Sequence, residues 1–208
     1  MGLWAERILP RCVDRVLSAP DIAARRALVC AGLTGRVLEL GFGSGLNLPH
    51  YPDDVTEVLA VEPSDLAMEL AAARISALGR PVQRVGLDGA RLDLPDASVD
   101  TVLSTYTLCT IPDTAGALRE VVRVLRPGGS FHFLEHGRSP DASVRRWQRR
   151  LNPIQRRFAG GCRLDEPIDE LIGGAGLQTM ALTTGYSPGM RATGYLYRGV
   201  ARRRPDAA

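Results

Sequence analysis

Lysine is absent from this chain of 208 residues: all 26 basic positions are arginine. That excludes Schiff-base lysines, pyridoxal enzymes that anchor their cofactor through lysine, and phosphate loops that depend on it. Cysteine is sparse. Cys12, Cys30, Cys109 and Cys162 include no CxxC pair and no two positions close enough in sequence for a metal knuckle. Nothing in the opening residues reads as a secretory signal, so the four are expected to be reduced thiols in a cytoplasm. No apolar run approaches the roughly 20 residues that span a bilayer, so no transmembrane segment is expected. Charge of one sign is lacking too. The 26 arginines face 23 acids, and a net charge of +3 is too weak to argue for nucleic acid. What is there is 45% hydrophobic and 24% charged, a globular composition at a length that suits one α/β domain.

The first segment is amphipathic, with Trp4, Ile8, Cys12, Val13, Val16 and Leu17 on one face. Pro20 opens a second helix over Asp21–Cys30. Strands and helices then alternate. Strands are predicted over Arg36–Leu40, Glu57–Glu62, Val82–Leu87, Asp100–Thr105 and Ser130–Glu135. Helices are predicted over Asp65–Leu78, with Ser64 as cap and Gly79 as stop, and over Asp113–Leu125, ending at Pro127-Gly128-Gly129. This rhythm predicts an α/β fold: an open, mostly parallel sheet with helices on both faces. After His136 the pattern changes. Val144, Trp147, Leu151, Ile154 and Phe158 recur at helical spacing among six arginines, a basic amphipathic helix bent near Pro153. Asp165 is expected to cap a short helix that ends at Gly173-Gly174. Two closing strands, Gln178–Thr184 and Gly194–Ala201, read as a hairpin. The reading is one domain over 1–208: N-terminal helices at 1–33, a cofactor-binding core at 36–136, a helical cap at 138–176 and closing strands at 177–201.

The most informative segment runs Val37-Leu-Glu-Leu-Gly-Phe-Gly-Ser-Gly45. A buried strand enters three glycines at alternate positions, which lets the chain turn sharply and lets a ligand sit against bare amides. The dinucleotide fingerprint is GxGxxG, and Leu46 stands where its third glycine would be. Three acids reinforce the loop. Glu62, at the end of the second strand, can accept both hydroxyls of a ribose. Asp88, followed by Gly89 and Ala90, can accept from an exocyclic amine. Glu39 lies inside the first strand, where a carboxylate needs donors; it can orient the loop or meet a ligand ammonium. Singly, each has an ordinary explanation as a turn or a strand end. At successive strand ends of one βαβ series they indicate a nucleoside-type cofactor.

In these motifs the chain resembles the class I S-adenosylmethionine-dependent methyltransferases. VLELGFGSG is similar to their glycine motif and AVEPS to their second-strand acid motif. GLDGARLDLPDASVDTVLST is similar to their adenine turn and fourth strand, and LREVVRVLRPGGSFHFLEH to their next helix, turn and fifth strand. The resemblance covers about Arg36–His136. It implies a seven-stranded sheet with an antiparallel last strand and S-adenosyl-L-methionine as cofactor. It implies a cofactor site of Glu39, Gly41, Gly43, Gly45, Asn47, Glu62, Asp88, Gly89, Ala90 and Thr105. Within the class, TLCTIPD, RPGG, FLEH, a tryptophan-bearing helix, NP, GC and a terminal GY resemble the thiol S-methyltransferase branch. The sequence departs from that branch in lacking its hydrophobic N-terminal anchor and in most of Arg138–Leu164. The glycine loop and RPGG turn are shared with quinone C-methyltransferases and phospholipid N-methyltransferases.

Methyl transfer needs positioning, exclusion of water and deprotonation of the acceptor. His136, after the fifth strand, is the candidate base; the alternative is a histidine that caps the strand. His132, deeper in the sheet, reads as structural. Tyr106, Cys109 and Trp147 are candidates for the acceptor pocket, and Cys162 is ambiguous. Buried cysteine is more often a small hydrophobe. The basic helix reads first as a lid and second as a peripheral membrane contact through 144–158. The expectation is a cytoplasmic methyltransferase with a small, fairly apolar acceptor, a thiol first, with quinols and phospholipid amines as alternatives. A dinucleotide oxidoreductase and a non-catalytic cofactor sensor are the readings outside this class.

Overall fold

The structure, a computed structural model, describes residues 3–189 and 191–204. A π-helical turn (Trp4–Ile8) leads into α1 (Leu9–Leu17) and α2 (Pro20–Cys30). Then come β1 (Gly35–Leu40), β2 (Val55–Val61), α3 (Asp65–Leu78), β3 (Val82–Gly86), β4 (Val99–Thr105), α4 (Thr114–Val124) and β5 (Leu125–His136). The chain closes with α5 (Ala142–Phe158), α6 (Ile168–Gly174), β6 (Leu177–Tyr186) and β7 (Tyr195–Arg203). The seven strands form one sheet in the order β3-β2-β1-β4-β5-β7-β6. Strands β1 to β5 are parallel to one another, and β7 inserts antiparallel between β5 and β6. The carboxyl ends of β1, β2, β4 and β5 therefore open on one edge, where parallel α/β sheets bind ligands.

Period-two alternation sends the strands into two cores. On β1, Leu38 and Leu40 join the cluster with α4 and α6, through Leu118, Val121 and Ile168. Val37 points the other way, to α2 and α3, through Val29 and Ala71. Each fully buried leucine contributes about 1.5–3 kcal/mol. Both faces of β1 are covered, which is why it reads as a nearly continuous apolar run. The Ser64 hydroxyl accepts from Ala67 N–H to start α3, and Gly79, at φ 68°, stops it. Asp113 caps α4 by accepting from Gly116 N–H at 2.7 Å.

Three expectations change. The Arg126–Gly129 turn does not precede the fifth strand but bulges within it. Val99 pairs with Leu125 and Thr101 already with Ser130. A Cβ on Gly129 would lie 2.9 Å from the carbonyl oxygens of Arg126 and Asp100, so only glycine fits there. Asp165 does not cap α6, whose cap position is Pro167; its carboxylate instead accepts from the Asn152 amide. The apolar stripe of α5 also divides. Val144 and Leu151 turn inward beside the buried Gln148, whereas Trp147, Ile154 and Phe158 are 56%, 58% and 50% exposed. Gln148 lies on that inward line because its amide meets Gly137 O, Leu164 O and Ser139 N. Among the described residues no helix is long and apolar enough to cross a membrane.

Candidate active site

A cleft of about 990 Å³ lies at the carboxyl edge of the sheet, between the glycine loop and the two terminal-side helices α1 and α5. That is at the upper end of the range for small-molecule sites. Gly41, Gly43, Glu62, Asp88, Gly89 and Thr105 line one end. Tyr106, Cys109, His136 and Cys162 line the other, with Val13, Val16 and Leu17 of α1 and Phe158 of α5 over it.

The loop after β1 takes left-handed backbone at Gly41 (φ 65°), Gly43 (57°) and Gly45 (73°). The three differ in what a side chain would meet. At Gly41 a Cβ would strike the Thr107 hydroxyl at 2.1 Å; at Gly45 it would press on Leu48 and Ala71. At Gly43 the nearest foreign atom is the Gly41 carbonyl at 3.9 Å, so this position offers open space and a bare backbone to the cleft. Glu62 ties the loop to the next helix. One of its oxygens accepts from Gly43 N–H and the other from Ser64 N–H, each at 2.8 Å. Burial raises its pKa, partly offset by these two donors. Each oxygen keeps a lone pair for a ligand. Asp88 is exposed and accepts from Ala90 N–H. A Cβ on Gly89 would press on Ile111 and Leu40, which leaves a flat apolar slot beside the acid.

Behind the loop lies a polar network that shapes it. Glu39 is fully buried and accepts from Tyr51 O–H and from Asn47 Nδ2. Burial pushes its pKa up to about 7 against the pull of those donors and of Arg26. Arg26 donates to both Asn47 Oδ1 and Thr105 Oγ1 at 2.8 Å. Its Nε is a buried donor without a hydrogen-bond partner, and its guanidinium sits 5.4 Å from the Tyr106 ring centroid. Asp14 pins α1 to the loop: it accepts from Ser44 Oγ at 2.6 Å and from Arg74, which also donates to Ser44 O. Arg26, Asp14, Ser44 and Tyr51 were not singled out by sequence reasoning. They are single polar residues in helices and turns, and only the fold brings them to the loop.

The structure thus gathers Gly41, Gly43, Glu62, Asp88, Gly89 and Thr105 on the cleft wall. It places Glu39, Gly45, Asn47 and Ala90 behind or beside that wall. Trp147 does not belong to the pocket. It is 56% exposed on the outer side of α5, with Arg150 over its ring at 5.4 Å. The helical stripe hid this because residues 147 and 144 share a face of the helix, while the cleft meets the helix at Gln155 and Phe158, near its end.

At the far end, Tyr106 follows β4 with φ 55°, a left-handed conformation uncommon for a non-glycine residue. Its N–H is held by Leu134 O, and its ring packs on His136 at 5.0 Å between centroids. Glu135 turns away from the cleft, accepting from Ser104 Oγ and Thr107 N–H; burial pushes its pKa up to about 7. Cys109 and Cys162 lie with their sulfurs 3.5 Å apart. Their hydrogen bond and burial push the Cys109 thiol well above its ordinary value. That hydrogen bond, followed by His136, lowers Cys162 well below the ordinary thiol value. His132 sits elsewhere, buried between Val29 O and Ser130 Oγ, as a structural residue.

Residues 38–133 match the family described as "Methyltransferase domain". The chain is 35% identical to thiol S-methyltransferase TMT1B of Rattus norvegicus over 134 residues, 62% of this chain and 54% of that protein. It is 34% identical to phosphatidylethanolamine N-methyltransferase of Cereibacter sphaeroides over 104 residues, 49% of this chain and 51% of that one. It spans about half the length of the curated relatives it matches. Its fold is that of a SAM-dependent methyltransferase of Thermotoga maritima, at TM-score 0.67 and 20% identity, covering 98% of this chain and all of that one. Taken with the strand order, these matches show the fold of class I methyltransferases, with residues 38–133 similar to the methyltransferase domain family.

Proposed function

We propose that the protein transfers the methyl group of S-adenosylmethionine to a small, apolar thiol. The observation that carries this reading is the division of the cleft: a polar, glycine-lined end suited to a nucleoside, and an end under the apolar faces of α1 and α5 that carries the Cys109 and Cys162 thiols, a phenol and an imidazole. The residues present fit the cofactor. Glu62 has free lone pairs for ribose hydroxyls, and Gly43 exposes bare backbone to the methionine part. The Gly89 slot with Asp88 suits an adenine edge, and the orphaned donor of Arg26 suits a carboxylate. Bound there, the cofactor supplies an electrophilic methyl group on a sulfonium.

This chain's part is to hold, shield and deprotonate. The apolar face of α1 and the end of α5 cover the far end and exclude water. A thiol, with a free pKa near 8.5, is already a few per cent thiolate at neutral pH, so it needs only a modest push. His136 and Cys162 are the groups placed to act on it. The thiol preference also draws on the likeness to the rat thiol S-methyltransferase.

The test is S-adenosylhomocysteine release across alkyl thiols, aryl thiols, a menaquinol-type quinol, a phenol and phosphatidylethanolamine, with cofactor calorimetry alongside. Release with the thiols is expected. Release with the quinol or the lipid amine but not with thiols overturns the acceptor assignment. No cofactor binding overturns the methyltransferase reading itself.

A further inference from the structure

Cys109, His136 and Cys162 come from three separate stretches: the loop after β4, the end of β5 and the loop after α5. Their ligand atoms all lie within 4.8 Å of one another, and the two sulfurs are 3.5 Å apart. A tetrahedral zinc ion, with Zn–S near 2.3 Å and Zn–N near 2.0–2.1 Å, spreads such atoms about 3.5–3.8 Å apart. A disulfide needs its sulfurs at about 2.05 Å. The two sulfurs stand at the separation a shared ion would give, far from that of a bond between them, and the imidazole lies within 4.8 Å.

The loops are shaped to make this meeting. Gly160 (φ 64°) and Gly161 (φ 90°) turn the chain back after α5, and a Cβ on Gly161 would press on Thr110 O at 3.1 Å. Arg163 N–H donates to Cys109 O at 2.8 Å, locking the two cysteine loops side by side. Tyr106 packs against the His136 ring, 5.0 Å between centroids. Apolar packing explains Cys109 beside Leu151 and Leu164, but it gives no reason for an imidazole at the same point.

We propose that Cys109, Cys162 and His136 bind a thiophilic divalent cation, Zn2+, in a three-ligand site at the acceptor end of the cleft. Two thiolates and a neutral imidazole balance the charge of the ion, so the complex is neutral where it is buried. Three protein ligands with a fourth position open are the pattern of catalytic rather than structural zinc. All three residues line the cleft, which is where a fourth ligand would enter. A thiol that takes that position gives its proton to solvent and binds as thiolate. This last step rests on the thiol reading above; the metal site does not. His136 then works as a ligand, and the metal does the deprotonation.

The experiment uses the full chain, reduced, chelator-stripped and desalted. Zn2+ is titrated in competition with a chromophoric chelator, and Co2+ is added to a second sample. One tight equivalent is expected, with thiolate-to-cobalt charge-transfer absorption and tetrahedral visible bands. Cys109→Ser, Cys162→Ser and His136→Gln should each weaken zinc at least 100-fold, while Cys12→Ser leaves it unchanged. Absence of the charge-transfer band in the unmutated chain overturns the site, whether or not any variant folds. So does zinc binding that survives all three substitutions. Tight zinc with no thiol turnover upholds the site and overturns the thiol acceptor. Thiol turnover in a chain that binds no zinc does the reverse.

Discussion

The two ends of the cleft are built by opposite means. At the proposed cofactor end, the glycine loop and the ends of the neighbouring parallel strands β2, β3 and β4 supply the lining. Gly41, Gly43 and Glu62 are wired together by backbone hydrogen bonds, with Glu39, Asn47, Arg26 and Tyr51 packed behind. At the proposed acceptor end, α1, the β4 loop, the tip of β5 and the loop after α5 each supply only a few side chains, from segments far apart in the chain. A ligand shared across a family can be held by a rigid, locally encoded frame. An acceptor that differs between relatives is met by segments that can change independently, and the thiol and phosphatidylethanolamine methyltransferases similar to this chain illustrate such a difference.

That contrast can be broken or sharpened by substitution. The largest effect is expected at Gly41→Val. A left-handed β-branched residue costs at least about 1–2 kcal/mol, and its Cβ would strike Thr107. Calorimetry should find cofactor affinity reduced at least 100-fold, and thermal unfolding should shift down by roughly 5 °C or more. Glu62→Ala should weaken cofactor binding by about 10- to 100-fold, the scale of lost charge-assisted hydrogen bonds. An unchanged affinity would remove Glu62 from the frame. Cys162→Ser should reverse the pattern, with the cofactor dissociation constant within two-fold and thiol turnover down about ten-fold. A matching loss of cofactor affinity would show that the two ends are not separable.

The buried acids give the frame a pH signature. Folded Glu39 holds its proton up to about pH 7, whereas the unfolded chain loses it near the ordinary value of 4.5. Between those values the folded state binds more protons, so stability falls as pH rises through the window. Urea unfolding at several pH values should show this slope. Glu39→Gln should flatten it, with the part due to Glu135 remaining. The smallest effect is expected at Trp147→Ala. Outside the cleft and half exposed, it should change cofactor affinity and thiol turnover less than two-fold and stability by about 0.5 kcal/mol or less.

The order of elements and the glycine loop were legible because their signals are local. A strand buried on both faces must be apolar, a cap must sit at a helix start, and a left-handed turn selects glycine wherever it occurs. The fifth strand shows where that logic stops. Pro127-Gly128-Gly129 reads as a terminator, yet pairing with β4 resumes on both sides and turns it into a bulge. Likewise, periodicity placed an apolar stripe on α5 but could not say which residues of the stripe the rest of the chain would cover. The sequence by itself determined the α/β order, the three-glycine loop and the acid at the end of β2, because each depends on backbone geometry within a few residues. Tertiary structure alone decided that Asp14 pins α1 to the loop and that Arg26 lies under it. It also decided that Cys109, His136 and Cys162 meet, because their contacts join residues that are distant in the chain and that nothing but sheet order and helix packing brings together.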